Sequence, residues 1–340
     1  MQQIHAAPPD LTQAQQHAGK YWDSIATAAI TPRTAWWNDP VALRHVNRLV
    51  CGEPLPEQHD GFHRRLAQRL LAQNARGGKA ISVGAGTGSK EIRLLKSGMV
   101  GSFVCFEAGA EAIAVGESMA IEHGVAGRIA YHRADALTAM LPADFDLVYW
   151  NSALHHMPDT NAALRWSRER LRDGGVLACD EYVGATRFQH SDAVMAWCNR
   201  LLALLPDRLL RRPDQQSLIP RNIGRIKPEE LIAIDPTEAC DSANILPGIA
   251  QHFPGAEIVP TGGALYFIGL NEAFHNFVNE EDIRLLNGLL DIDAAIGRME
   301  ETQYAVIFAI KTAPPAPQAP PPFGRRVLRR LRREWRLPFS

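Results

Sequence analysis

Cysteine is scarce in this sequence. Five stand in 340 residues, at Cys51, Cys105, Cys179, Cys198 and Cys240, and no two form a Cys-x-x-Cys pair. A scattered, odd set argues against a disulfide framework and against a structural zinc site. It predicts reduced, mostly buried thiols in a cytoplasmic protein. Long apolar runs are missing: none approaches the roughly 20 residues that cross a bilayer. The opening Met1-Gln-Gln-Ile-His5 has neither the basic nor the apolar region of a secretory signal. There is no internal repeat. Net charge is nearly nil, −1 at pH 7, so whole-chain charge names no partner, and no nucleic acid is expected.

The charge that is present is uneven. Phe323–Ser340 holds seven Arg and one Glu, a balance of +6, which leaves −7 for the rest. Apolar spacing over residues 11–75 predicts helices broken at Thr31-Pro32, Asp39-Pro40 and Cys51-Gly52-Glu53-Pro54. Short apolar strands then alternate with helical stretches. Strands are expected at 79–84, 102–107, 129–133, 145–150 and 176–182, with helices at 89–97, 110–123 and 160–171. A largely helical insertion over 184–254 includes helices at 193–205 and 228–234. The alternation resumes with a strand at 256–261, a helical region to about 297 and a last strand at 303–311. Such alternation implies right-handed βαβ units and a doubly wound, mostly parallel α/β sheet. Thr312–Pro322 reads as a Pro-rich linker of extended character. The domains expected are an N-terminal helical cap (1–78), a nucleotide-binding domain (79–183 and 255–311), an acceptor lid (184–254), the linker and a basic tail (323–340).

Chemistry concentrates at the strand ends. Gly84-Ala85-Gly86-Thr87-Gly88 lies between a strand and a helix, where glycine permits positive φ and close backbone approach. The helix start beyond it favours an anionic group. The spacing is Gly-x-Gly-x-Gly, not the dinucleotide Gly-x-Gly-x-x-Gly. Alone it says only nucleotide, or a tight structural turn. Glu107-Ala108 ends the second strand, where a carboxylate can accept from ribose hydroxyls. Asp135 follows the third and can take an adenine amine, with Ala136 offering its N–H. Asn151-Ser152 follows the fourth, at the carboxyl edge where open α/β sheets bind ligands.

These motifs, with Phe145–His156 and the Leu171-Arg-Asp-Gly-Gly-Val-Leu177 turn, resemble those of class I S-adenosylmethionine-dependent methyltransferases. The resemblance covers about residues 79–182, and 256–311 more weakly. It implies a seven-stranded Rossmann-like fold with S-adenosylmethionine as cofactor. The glycine loop would meet its methionine part, Glu107 its ribose and Asp135 its adenine. One departure is visible: Ser82-Val83 stands where the first motif often carries an acid. Glu91, one turn into the next helix, is expected at the surface.

On the reacting side, His155 and His156 are candidate bases, because imidazole titrates near neutrality. The alternative is that one packs and the other caps a helix. No metal site is expected: neighbouring side chains diverge, and only Asp159, Asp180 and Glu181 offer further ligands. Glu181 and Tyr182 end the fifth strand and could orient an acceptor. Arg187 and His190 follow and could line its cavity. Tyr21, Trp22, Trp36 and Trp37 could stack on a flat acceptor, or belong to the core. Arg221 and the run Asp235-Pro236-Thr237-Glu238 are polar enough for acceptor recognition.

Residues 325–335 make an amphipathic helix on paper, with Val327, Leu328, Leu331 and Trp335 opposite the Arg side chains. That pattern suits an anionic membrane surface, or a partner. The combined expectation is a cytoplasmic enzyme, peripheral at the inner membrane face. It would methylate a hydroxyl of a small-molecule or glycan-type acceptor, such as a lipid-linked saccharide in cell-envelope biosynthesis. An NAD(P)-dependent oxidoreductase and a non-catalytic scaffold are the competing readings.

Overall fold

The computed structural model describes residues 11–26, 35–214, 216–299 and 301–312. The basic tail and nearly all of the Pro-rich linker lie outside them. Among the described residues no helix is long and apolar enough to cross a membrane.

The chain opens with α1 (Gln13–Ala26), α2 (Pro40–Cys51) and α3 (Asp60–Ala72). Local chemistry sets the α2 boundaries. Asp39 Oδ1 accepts from the N–H groups of Val41 and Ala42 at 2.8 and 2.9 Å. Pro40 occupies a first-turn position that needs no N–H, and Gly52 ends the helix at φ 83°. The alternating part follows as β1 (Gly78–Val83), α4 (Ser89–Lys96), β2 (Val100–Phe106), α5 (Ala110–Glu122), β3 (Ile129–His132), β4 (Phe145–Asn151), α6 (Thr160–Arg170) and β5 (Leu171–Tyr182). Next come α7 (Asp192–Leu204), α8 (Pro228–Ile234), α9 (Ile245–His252), β6 (Glu257–Gly262), α10 (Glu280–Met299) and β7 (Tyr304–Ile310).

The seven strands form one sheet in the order β3-β2-β1-β4-β5-β7-β6. The first five run parallel, and β7 runs antiparallel to both neighbours. This is the doubly wound, mostly parallel seven-stranded sheet that the sequence implies, with a helical segment before it and a helical insertion after the fifth strand. Strand order reverses between β1 and β4, and the crevice at such a point is where open α/β sheets take their ligands.

Both faces of the sheet are covered. On one, Leu164 and Trp166 of α6 and Ile245 and Ile249 of α9 pack with Trp150 and Leu177. On the other, Phe62, Leu66 and Leu70 of α3 pack with Leu94 and Leu95 of α4 and with Tyr149 and Phe308. So α3 lies in a sheet-covering layer, and α9 in the layer opposite. A third core joins α2, α7, α10 and the π-helical turn Ala264–Gly269. Between α7 and α8 the chain is mainly irregular, with an isolated bridge between Arg211 and Leu218.

Candidate active site

The crevice between β1 and β4 holds a cavity of about 330 Å³. Gly84, Gly86, Glu107, Ala108, Asp135, Ala136, Asn151 and Ser152 all line it. Ala85, Thr87 and Gly88 stand behind the lining: Ala85 is buried, and the Thr87 carbonyl accepts from Tyr131 at 3.0 Å. The three loop glycines sit at φ 64°, 56° and 70°. At Gly84 a side chain is excluded twice over, by its positive φ and because a Cβ would stand 2.6 Å from the Ala153 Cβ.

Glu107 reaches across this loop. Its Oε2 accepts from Gly86 N–H at 2.7 Å, and its Oε1 accepts from Ala108 and Gly109 at 2.7 and 2.8 Å. A carboxylate offers about four acceptor positions, so Oε2 is the oxygen with room for a ligand hydroxyl. Asp135 accepts from the N–H of Leu137 at 2.9 Å. Glu91 is buried, not at the surface. Its Oε1 accepts from Ser82 Oγ at 2.7 Å, so a carboxylate returns from α4 to the strand position that lacks one.

Behind the cavity wall at Ala153 lies Glu181, which is fully buried. Its Oε1 accepts from the N–H groups of Ala153 and Leu154 at 2.8 and 2.9 Å, and its Oε2 pairs with His155 Nδ1 at 2.7 Å. That bond assigns the Nδ1 proton and leaves Nε2 as the basic atom of neutral His155. Burial pulls the His155 pKa down, but the bond and charge of Glu181, with Glu238 and Asp235 nearby, hold it above 6.5. His156 behaves oppositely. Burial, then the charges of His155 and Arg187, hold it well below 6.5. Its Nδ1 donates to Thr237 Oγ1 at 2.9 Å, and the Thr237 hydroxyl donates to Asp235 Oδ1 at 2.6 Å. The two Nε2 atoms then face Glu238, at 3.6 Å from His155 and 3.9 Å from His156. Burial raises the Glu238 carboxyl above the usual range, the nearby His155 notwithstanding. Of the two histidines, His156 lines the cavity.

Helix α1 closes this side. Trp22 Nε1 donates to Asp235 Oδ2 at 3.0 Å, and the Trp22 ring stands edge-on to His156 at 5.6 Å. Gly19 lets α1 approach closely, since a Cβ there would lie 2.9 Å from the Ala108 carbonyl. Leu11, Gln15, Ala18, Gly19 and Trp22 all line the cavity.

Six residues expected at the acceptor lie elsewhere. Trp36 packs into the third core against Tyr266 and Tyr304, and Trp37 stands beside it, part-exposed. Tyr182 is buried among Phe188, Phe267 and Tyr304, its hydroxyl donating to Ala185 O at 3.0 Å. His190 is buried against Phe188. Arg221 closes its own loop through Leu202 O at 2.9 Å and Asp207 at 2.5 Å. Arg187 donates to the carbonyls of Pro236 and Glu238, both at 2.7 Å, and so holds the loop that carries Glu238. In each case apolar packing or a nearby carbonyl claims the side chain. Asp180 pairs with His59 at 2.8 Å, and Asp159 caps α6 through Ala162 N–H at 2.7 Å.

Residues 74–214 match a family described as a methyltransferase domain. The matched residues are less than half of the chain. A similar curated protein is the 27-O-demethylrifamycin SV methyltransferase of Amycolatopsis mediterranei (strain S699), 31% identical over 124 residues. That match takes in 35% of this chain and 44% of the relative, so the chain spans less than half the relative's length. Similar solved structures include the [4+2]-cyclase SpnF, at 16% identity and TM-score 0.48 over 91% of this chain and 100% of that one. Another is the geranyl diphosphate C-methyltransferase of Streptomyces coelicolor A3(2), at 13% identity and TM-score 0.48 over 90% and 100%. Likeness at this level carries nothing about chemistry.

The cavity fits S-adenosylmethionine chemically. It has a side-chain-free glycine wall, two carboxylates at the ends of β2 and β3, and a cation that the motif pattern does not announce. That cation is Lys90, whose Nζ donates to Asn151 O and Oδ1 at 3.1 and 3.2 Å and lines the cavity. A Lys in the first turn of a helix opposes the helix dipole, and this was the available signal for it. Trp22, Thr237 and Glu238 had weaker signals, because only the fold brings α1 and the loop after α8 to the histidine pair.

Proposed function

We propose that the protein moves a methyl group from S-adenosylmethionine to a hydroxyl of a small-molecule acceptor, with His155 as the general base. The observation that carries this is the buried Glu181–His155 pair, 2.7 Å long, beside His156, which lines the cavity. Glu107 Oε2 and Asp135 would hold the ribose and adenine, with Lys90 at the methionyl carboxylate. The cofactor supplies an electrophilic methyl on a sulfonium, which departs as a neutral thioether. The residues of this chain do the rest. Glu181 holds the imidazole ring in one tautomer, His155 Nε2 takes the hydroxyl proton, and α1 with the 235–238 loop keeps water out. The oxygen gains the methyl, and the proton ends on His155.

The name of the Amycolatopsis relative describes an O-methylation of a small molecule, and this favours a hydroxyl over an amine. Saccharide and non-saccharide alcohols are the two acceptor panels to assay. Calorimetry with S-adenosylmethionine tests the donor half. Wild type is expected to bind one equivalent. Glu107→Ala is expected to weaken binding by about 10- to 100-fold, the cost of a hydrogen bond to a charged group. No binding by wild type, or unchanged affinity in the variant, overturns the assignment.

A further inference from the structure

The two histidines and Glu238 form a ligand set that the methyl-transfer reading leaves unexplained. One ring nitrogen each of His155 and His156 and a Glu238 oxygen all lie within 4.8 Å of one another, and the Nε2 atoms are the ring nitrogens that face Glu238. Both rings are oriented from behind, His155 through Nδ1 to Glu181 at 2.7 Å and His156 through Nδ1 to Thr237 at 2.9 Å. A carboxylate or hydroxyl on the far nitrogen is how metal-binding histidines are held, because it fixes the tautomer and makes the ligating nitrogen more basic. The third ligand is positioned too. Arg187 anchors the carbonyl of Glu238 itself, and Asp235, immediately before Pro236-Thr237, ties Trp22 to the Thr237 hydroxyl.

We propose that this cluster binds a divalent transition-metal ion of borderline softness, Zn²⁺ being the type. Two imidazole nitrogens and one carboxylate oxygen suit such an ion and leave one position open. His155 Nε2 stands 3.6 Å from Glu238 Oε1 and His156 Nε2 stands 3.9 Å from Glu238 Oε2, so a small contraction and turn of the carboxylate bring the three side chains to a shared ion at about 2.0–2.2 Å from each donor. The ion and the hydroxyl proton use the same lone pair, that of His155 Nε2. The consequence for the reaction therefore rests on the base role of His155: a filled site silences methyl transfer.

Cobalt reports on such a site directly, because tetrahedral Co²⁺ absorbs strongly in the visible. Titration of the full chain with Co²⁺ is expected to give a saturable band, one ion per chain, discharged by Zn²⁺. Glu238→Gln and His156→Gln should each abolish the band while keeping S-adenosylmethionine affinity, which serves as the folding control. Glu181→Gln should weaken Co²⁺ by about 10- to 100-fold, as loss of an outer-shell partner does. No saturable band in wild type, or the same affinity in both ligand variants, overturns the site. Methyl transfer should fall as Zn²⁺ fills the site, and a rise would overturn the inhibitory role. Failure of the cobalt band leaves cofactor calorimetry untouched, so the two readings fail separately.

Discussion

The two ends of the cavity are made differently. The proposed donor end comes from three consecutive strand ends, with Gly84–Gly88 after β1, Glu107 after β2 and Asp135 after β3. Each residue is placed by its own strand and held mainly by nearby backbone, as Glu107 is by Gly86, Ala108 and Gly109. The proposed acceptor end is gathered from four places: α1, the turn after β4, the end of β5 and the loop after α8. Its parts are held by side chains acting on side chains, with Glu181 on His155, Thr237 on His156 and Trp22 on Asp235. A site built from backbone tolerates change around it. A relay of side chains does not, because losing one member leaves another buried and unpaired.

Three substitutions sharpen that contrast. The largest effect is expected at the acceptor end, where His155→Ala should lower kcat by about 10²- to 10⁴-fold, the usual worth of a general base. S-adenosylmethionine affinity should stay near wild type; a joint loss would mean that the two ends are not separable.

Next is Glu181→Gln. An amide facing His155 Nδ1 would favour the tautomer with its proton on Nε2, which cannot act as a base. A fall in kcat on the order of 10²-fold is expected, the lower end of what a general base contributes. The pH profile carries the finer test. Glu181 raises the His155 pKa above 6.5, so in wild type the rate climbs with pH as that imidazolium loses its proton. Without the carboxylate the imidazolium loses its stabilising partner, and the rising limb should move to lower pH. An unmoved limb would place the titrating group elsewhere.

The smallest effect is expected at the donor end. Lys90→Gln should weaken S-adenosylmethionine by roughly tenfold, the loss of one charged contact in a site with several others. The change should appear in KM with kcat nearly constant. A collapse of kcat instead would tie Lys90 to the acceptor end through Asn151.

Local pattern carried most of the fold. Alternating apolar strands and helices, broken by Asp39-Pro40 and Cys51-Gly52, place six of the seven strands within about two residues, because caps, glycines and periodicity are short-range causes; β5 starts earlier than expected, at Leu171 instead of 176. The donor end was legible for the same reason, since each of its residues sits at a fixed offset from a strand. Lys90 was overlooked because its role depends on how α4 turns toward β4. Glu91 looked like a surface charge until α4 proved to press it against Ser82.

The sheet and its switch point follow from periodicity and turn chemistry along the chain, as do Gly84–Gly88, Glu107 and Asp135 at the strand ends, whereas Lys90 does not. Only the tertiary structure decided the acceptor end. It moved Trp36, Tyr182, Arg187, His190 and Arg221 into packing or loop-holding roles, and it brought Trp22, Thr237 and Glu238 to the histidine pair. The physical reason is distance along the chain. Nothing local at residue 238 records that residue 155 faces it, and that meeting is set by how α1, β5 and the segment after α8 pack together.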